Sequence, residues 1–299
     1  MQRSVMLVFM HRLLFVDEPS LPIPKVPANQ RVTSITVKTI SREPLYRPFC
    51  TIWMNLSKRQ VRLCSRLPLD TLTDNDELVL EIVDVVTLYW NPRRLEIRYT
   101  KGRNYTAARL YYWILHTFMP IILEISYGYY MLHVGAIEVG NKPILFAARS
   151  YGGKSTLTDY FLHRGHTLYS DDSLGIQKTD RYYYAIPSYP YHRPFREAEE
   201  LGYYIENFAT TSTPIKDIYW LVKSQQDATV EISTLKGVEK FKALKATIFV
   251  NFMFLRENHF NFLAELSERV NIHAISVPWD IERLSEVYDA ITRNLSDDS

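Results

Sequence analysis

Glycine is scarce in this chain, with 10 residues in 299, well under the usual ~7%. That excludes glycine-rich repeats and flexible low-complexity architecture, and it makes an adjacent pair, Gly152-Gly153, a feature that needs a reason. Cysteine is rarer: Cys50 and Cys64 alone, without the CxxC or Cys/His spacing of a zinc site and far too few for a disulfide-built scaffold. Two core thiols and a reduced, cytoplasmic setting are the expectation. No apolar run approaches the ~18 residues of a membrane span; residues 118–132 are interrupted by Pro120, Glu124 and Gly128. The start Val5-Met-Leu-Val-Phe-Met stops at His11-Arg12 with no small-residue cleavage site, so it reads as a strand and not a signal peptide. Net charge is only +2, which offers nucleic acid no general attraction.

What is present is globular. Hydrophobic residues make up 46% and charged residues 23%, close to the usual ~45–50% and ~25%, and the length allows one large domain or two modest ones with an ample core. Charge is uneven along the chain. Asp70, Asp74, Asp76, Glu77, Glu81 and Asp84 precede a basic stretch, Arg93, Arg94, Arg98, Lys101, Arg103 and Arg109. The second could hold an acidic ligand, but pairing with its acidic neighbour or simple solvation is favoured.

The organisation reads as bipartite, with a strand-rich part over residues 1–122 and an α/β part over 123–299. Residues 32–40 alternate, 79–90 are rich in β-branched residues, and Leu95, Ile97 and Tyr99 alternate with Glu96 and Arg98; Asn91-Pro92 turns the last two into a hairpin. Residues 104–118 read as a helix capped by Asn104. In the second part, 219–222, 230–232 and 272–277 read as strands, and 236–244, 246–255, 260–270 and 280–295 as helices, the last capped by Asp280.

The chemistry concentrates in residues 143–156, Pro-Ile-Leu-Phe-Ala-Ala-Arg-Ser-Tyr-Gly-Gly-Lys-Ser-Thr. Ile144, Leu145 and Phe146 form a buried strand pattern, and Leu157, Tyr160 and Phe161 give the next segment an apolar helical face. A strand, a loop with paired glycines and a helix opening at Lys154 or Ser155 make a phosphate cradle of inward amides and a positive helix end. Ser150, Tyr151, Gly152, Gly153, Lys154, Ser155 and Thr156 are the candidate nucleotide contacts, with Lys154 on the β- and γ-phosphates and Ser155 on magnesium. Ala148 stands where the pattern Gly-x4-Gly-Lys-Ser/Thr has its first glycine, which requires a negative φ there. The plain alternative is a strand-to-helix turn with a solvated lysine.

The helical pattern ends at Gly165, a natural cap. Residues 166–170 then form a short strand that finishes on Asp171-Asp172, carboxylates suited to magnesium or to activating a hydroxyl. Upstream, residues 132–139 and 143–146 form a hairpin through Gly140-Asn141-Lys142, and spacing leaves open which end of the sheet receives His133.

The run His133-x-Gly-Ala-Ile-Glu-Val, Ser150-x-Gly-Gly-Lys-Ser-Thr, Arg164-Gly-His-x-Leu-x-Ser-Asp171-Asp172-x-Leu resembles the core of the HPr serine kinase family, and is nearest to its stand-alone members, including kinases that tailor lasso-peptide precursors. The specific part covers residues 130–176 and a looser similarity runs to about 290. The resemblance implies a P-loop-containing, phosphoenolpyruvate carboxykinase-like core behind a smaller strand-rich domain. It also implies ATP or another nucleoside phosphate with Mg2+ as cofactors, a peptide or small-protein serine as acceptor, and a homo-oligomer. Asp171 would be the general base, Asp172 a metal-associated carboxylate with Ser155, His133 a neighbour of the attacking group, and Lys154 the cation that neutralises the transferring phosphoryl. The Glu-Ile-Arg-Gly-x-Gly segment of the bifunctional kinase/phosphorylases is absent, which argues against phosphorolysis and against HPr as substrate. Arg193 and Arg196, on the proline-rich stretch in its place, are weaker substrate candidates. A regulatory module that binds nucleotide without transferring phosphate, and a kinase of a small-molecule hydroxyl, are the alternatives.

Overall fold

The computed structural model describes residues 4–19, 21, 32–42, 47–149, 151–195 and 197–297. Its first part is a nine-stranded sheet built from β1 (Ser4–Val8), β2 (His11–Phe15), β3 (Ser34–Thr39), β4 (Phe49–Cys50), β5 (Met54–Leu56), β6 (Arg59–Ser65), β7 (Leu78–Ile82), β8 (Val86–Asn91) and β9 (Glu96–Lys101), in the order β1-β2-β3-β9-β8-β7-β6-β4, with β5 also on β6. Residues 79–90 are therefore two strands. Asp84, at φ +63°, turns them into a hairpin that continuous β-branched composition concealed. The inner face buries Leu13, Phe15, Val37, Leu63, Leu80, Trp90 and Tyr99 against a long helical segment.

That segment starts with α1 (Ala107–Tyr112), passes through a π-helical turn (Trp113–Phe118) and continues as α2 (Met119–Tyr127). Thr106 is its cap, with Oγ1 accepting from Arg109 N, while the Asn104 amide is already donating to Asp84 O at 2.6 Å. The helix does not stop at residue 118, and the boundary expected at 122 falls inside α2. Pro120 explains the wide turn. It lacks an N–H for the carbonyl of His116 and its ring would press on that carbonyl, so the helix opens there instead of breaking.

The second part holds β10 (Tyr130–Leu132), β11 (Gly135–Val139), β12 (Lys142–Ala147), α3 (Lys154–His163), β13 (Thr167–Ser170), β14 (Leu174–Lys178), β15 (Tyr183–Ile186), β16 (Tyr191–His192), β17 (Tyr203–Tyr204), β18 (Thr213–Pro214), β19 (Asp217–Ser224), β20 (Ile232–Thr234), α4 (Gly237–Lys245), α5 (Arg256–Arg269), β21 (Asn271–Pro278) and α6 (Leu284–Asp297). Its main sheet runs β13-β11-β12-β19-β21-β20, with β12, β19 and β21 parallel. The hairpin β11–β12 turns on Gly140 and Asn141, both at positive φ as a two-residue turn demands. Asp280 caps the turn before α6 through Glu282 N.

Two further expectations are corrected. Residues 246–255 are not a helix: Ile248 bridges Leu132, His133 N donates to Thr247 O and Phe249 N to Met131 O. The β-branched and aromatic run Thr247–Val250 prefers extended backbone, and pairing beside β10 satisfies it. Cys50 and Cys64 are not free thiols but a disulfide joining the directly opposed positions of β4 and β6. Facing positions on neighbouring strands already hold the two Cβ atoms close, a proximity that sequence spacing did not reveal. Among the described residues, no helix is long and apolar enough to cross a membrane.

Candidate active site

The loop between β12 and α3 is tight. Gly152 N donates to Arg149 O at 2.9 Å. A Cβ on Gly152 would stand 2.6 Å from the Ala148 Cβ and 2.8 Å from Arg149 O, so with alanine at 148 only glycine fits at 152. Gly153, at φ +86°, enters α3 in the left-handed conformation that glycine adopts without cost. Ala148 keeps a negative φ, so the alanine strains nothing. Lys154 opens the helix and is buried, its Nζ 3.5 Å from Ala148 O. An ammonium under a helix N-terminus whose first amides lack intrahelical partners is a concentrated positive site. Lys154 is thus not the solvated lysine of the plain alternative.

Topology brings the acidic pair to the same edge. β13 is antiparallel to β11, which is antiparallel to β12, so β12 and β13 point the same way. The loop after β12 and the Asp171-Asp172 pair after β13 therefore share one end of the sheet. β11 begins at that end, and His133, two residues before it, lies there too. Asp171 and Asp172 are both buried. The Asp171 Oδ1 is 2.6 Å from His192 Nδ1, and its Oδ2 accepts from Arg193 N at 3.2 Å. His192 Nε2 in turn lies 3.2 Å from Asp159 Oδ1 on α3, near enough for charge but off the line of a hydrogen bond.

Asp172 gathers a different set. Its Oδ2 is 2.8 Å from His116 Nε2 and 3.5 Å from the Arg193 guanidinium, and its Oδ1 is 3.2 Å from His133 Nδ1. Burial holds the His116 pKa below the ordinary imidazole value, against the pull of Asp172. A carboxylate can only accept, so His116 Nε2 is the donor in its contact with Asp172. For Arg193, burial opposes the charge, but Tyr189 and Asp172 outweigh it and keep the guanidinium above its ordinary value. Among the described residues, the buried polar atoms without a hydrogen-bond partner include His116 Nδ1 and the hydroxyls of Ser170 and Ser173, the residues that flank the acidic pair in sequence.

A cavity of about 1030 Å³ opens onto this cluster. Asp172, His116, His133, Arg193 and Tyr151 line one side, and Met54–Lys58 of the first sheet and Phe249–Phe252 another. Asp171 is not among its walls. The two aspartates therefore divide: Asp172 faces the open space, and Asp171 faces His192 and the Arg193 amide.

The remaining expected residues fall as follows. Ser155 and Thr156 sit in the first turn of α3, and Tyr151 is almost wholly exposed at the loop tip with φ +60°. Ser150 and Arg196 lie outside the described residues. Arg193 is buried against both aspartates and not solvated. The site also contains His116 and His192, which sequence reasoning passed over. The spacing His116-x-x-x-Pro120 was the available signal, since a proline disturbs the carbonyl four residues before it. The basic stretch pairs in part with acidic neighbours, Arg103 with Asp84 and Arg98 with Glu96.

The donor chemistry fits a nucleotide phosphate at the loop: a glycine turn that admits no Cβ, a helix start and a buried lysine. The Ser155 hydroxyl is a hard oxygen donor of the kind magnesium takes, and would hold the ion together with the nucleotide phosphates. Among the described residues, no group of three or more His, Cys, Asp or Glu side chains is arranged to hold a metal ion by itself.

No protein-family model matches the chain, and no curated protein matches it. Among solved structures, the HPr(Ser) kinase/phosphatase from Coxiella burnetii is similar at 13% identity and a TM-score of 0.33, over 55% of this chain and 97% of that one. A likeness of that size defines neither a shared fold nor a shared activity.

Proposed function

We propose that the chain is a phosphotransferase of the HPr-kinase-like kind, moving a phosphoryl group from a magnesium-bound nucleoside triphosphate to a hydroxyl, with a serine on a peptide or small protein as first choice. The observation that carries this reading is the meeting, at one sheet end, of the Lys154 loop with Asp171, Asp172 and His133. Phosphoryl transfer asks a protein chiefly for positioning and for charge to spread over. Magnesium, which the Ser155 hydroxyl would help to hold, would supply positive charge against the transferring phosphoryl group. Lys154 and the first amides of α3 hold the phosphates. Asp172, the carboxylate on the cavity wall, meets the acceptor hydroxyl and takes its proton, while His116, His133 and Arg193 fix its orientation. Asp171 holds His192 and the Arg193 backbone, so the base is Asp172 in this reading where the resemblance implies Asp171.

The cavity supports a second reading of the acceptor. Its volume is at the upper end of the ~300–1,000 Å³ usual for small-molecule sites, so a small hydroxyl compound is the alternative to a peptide segment such as a lasso-peptide precursor. Mass spectrometry of both acceptor classes with ATP and magnesium separates them. A peptide that gains a phosphoryl group with wild type and not with Lys154→Ala supports the peptide kinase. Gain only on small molecules supports the second reading, and tight ATP binding with no transfer to either class would leave a regulatory module.

A further inference from the structure

Beyond the phosphates, we propose that Trp279 is the stacking platform for the nucleotide base, an inference that rests on the phosphate-loop reading above. Trp279 follows directly on β21. Its Cζ3 lies 3.8 Å from where a Cβ on Gly153 would stand, so the indole touches the wall of the loop at the start of α3. The chain gives it no tight enclosure: Trp279 is 43% exposed. Lys223, at the end of parallel β19, sets its Nζ 3.9 Å from the ring centroid.

Strand order gives the direction. In β13-β11-β12-β19-β21 the loop after β12 is central, with Asp171 and Asp172 two strands to one side and Trp279 two strands to the other, all at the same end. Neighbouring strands lie ~4.8 Å apart, so the acidic pair and the indole are roughly 19 Å apart measured across the strands, with the loop between them. A triphosphate laid along the loop with its terminal phosphate toward Asp172 carries its base toward Trp279. Lys223 lies over one face of the indole, so a base would stack on the opposite face, and the ammonium can also meet phosphate or ribose oxygens.

The test is calorimetric titration of the full chain, with magnesium, using ATP and inorganic tripolyphosphate in parallel. Stacking on an aromatic side chain accounts for about ten-fold or more in affinity. Trp279→Ala is expected to weaken ATP by that factor while leaving tripolyphosphate unchanged, and Trp279→Phe, which keeps an aromatic face, to retain most of the ATP affinity. Equal losses for both ligands, or no loss for either, overturn the platform. If wild type binds neither ATP nor tripolyphosphate, or Lys154→Ala binds both as wild type does, the phosphate loop itself fails and the platform with it.

Discussion

The two aspartates are adjacent in sequence yet have different surroundings. Asp172 lies on the cavity wall between two imidazoles and a guanidinium, and Asp171 is enclosed by His192 and a backbone amide. If Asp172 accepts the hydroxyl proton, Asp172→Asn lowers the transfer rate by about 10²–10⁴ while ATP affinity, measured by calorimetry, stays near wild type. An equal loss of ATP affinity would instead assign Asp172 to nucleotide binding. Gly152 supplies a second test. Gly152→Ala forces a Cβ against Ala148 and Arg149 O, at a cost of about 1–3 kcal/mol in loop strain. The expected result is weakened ATP binding together with a Tm lower by a few degrees. Adding Ala148→Gly removes one of the two clashes and restores part of the affinity. Gly152, Gly153 and Lys154 were legible in the sequence because only a few residue types satisfy a tight loop opening a helix. His116 and His192 were not, because a lone histidine in an aromatic-rich stretch carries no period and no spacing of its own.

Glu199 ties its segment to the first sheet and the long helix. Glu199 accepts from Arg59 Nε and NH2 at 3.1 and 2.9 Å and from Trp113 Nε1 at 2.9 Å, with Arg109 Nε 3.0 Å away. Burial alone would raise the Glu199 carboxyl, but the hydrogen bonds from Arg59 and Trp113 outweigh it and hold it below the ordinary carboxylate range. A depressed folded pKa stabilises above the unfolded value of ~4.3 and is lost as pH falls through the lower folded value. Glu199→Gln is therefore expected to cost about 1–3 kcal/mol at neutral pH, with the gap from wild type closing below about pH 4, as urea melts across pH would record. Strands and helices with strong periodicity, such as β9, α3 and β21, were readable from sequence. The stretch 246–255 was not: its apolar spacing suits a helix, and only the neighbouring β10, far away in sequence, makes the extended form better. The π-helical turn was hidden for the opposite reason, since Pro120 signals a break and the surrounding core, with Trp113, Ile114 and Leu115 buried, keeps the helix going.

At the scale of the molecule, the cavity joins the two parts. The first sheet supplies one wall and the acidic cluster another. The Cys50–Cys64 disulfide closes a short loop beside that wall, across a separation of 14 residues. Cross-linking a loop of this length stabilises by about 3 kcal/mol through the unfolded chain, so Cys50→Ser, or reduction with dithiothreitol, is expected to lower stability by roughly that amount; an unchanged Tm under reducing conditions would show that the bond contributes nothing. The central claim is phosphoryl transfer, and γ-labelled ATP tests it most directly. With magnesium and a panel of peptide and small-molecule hydroxyl acceptors, label should leave ATP for an acceptor with wild type, and stay on ATP with Lys154→Ala or without magnesium. Wild type that binds no ATP, or Lys154→Ala that transfers label as fast as wild type, would contradict the account.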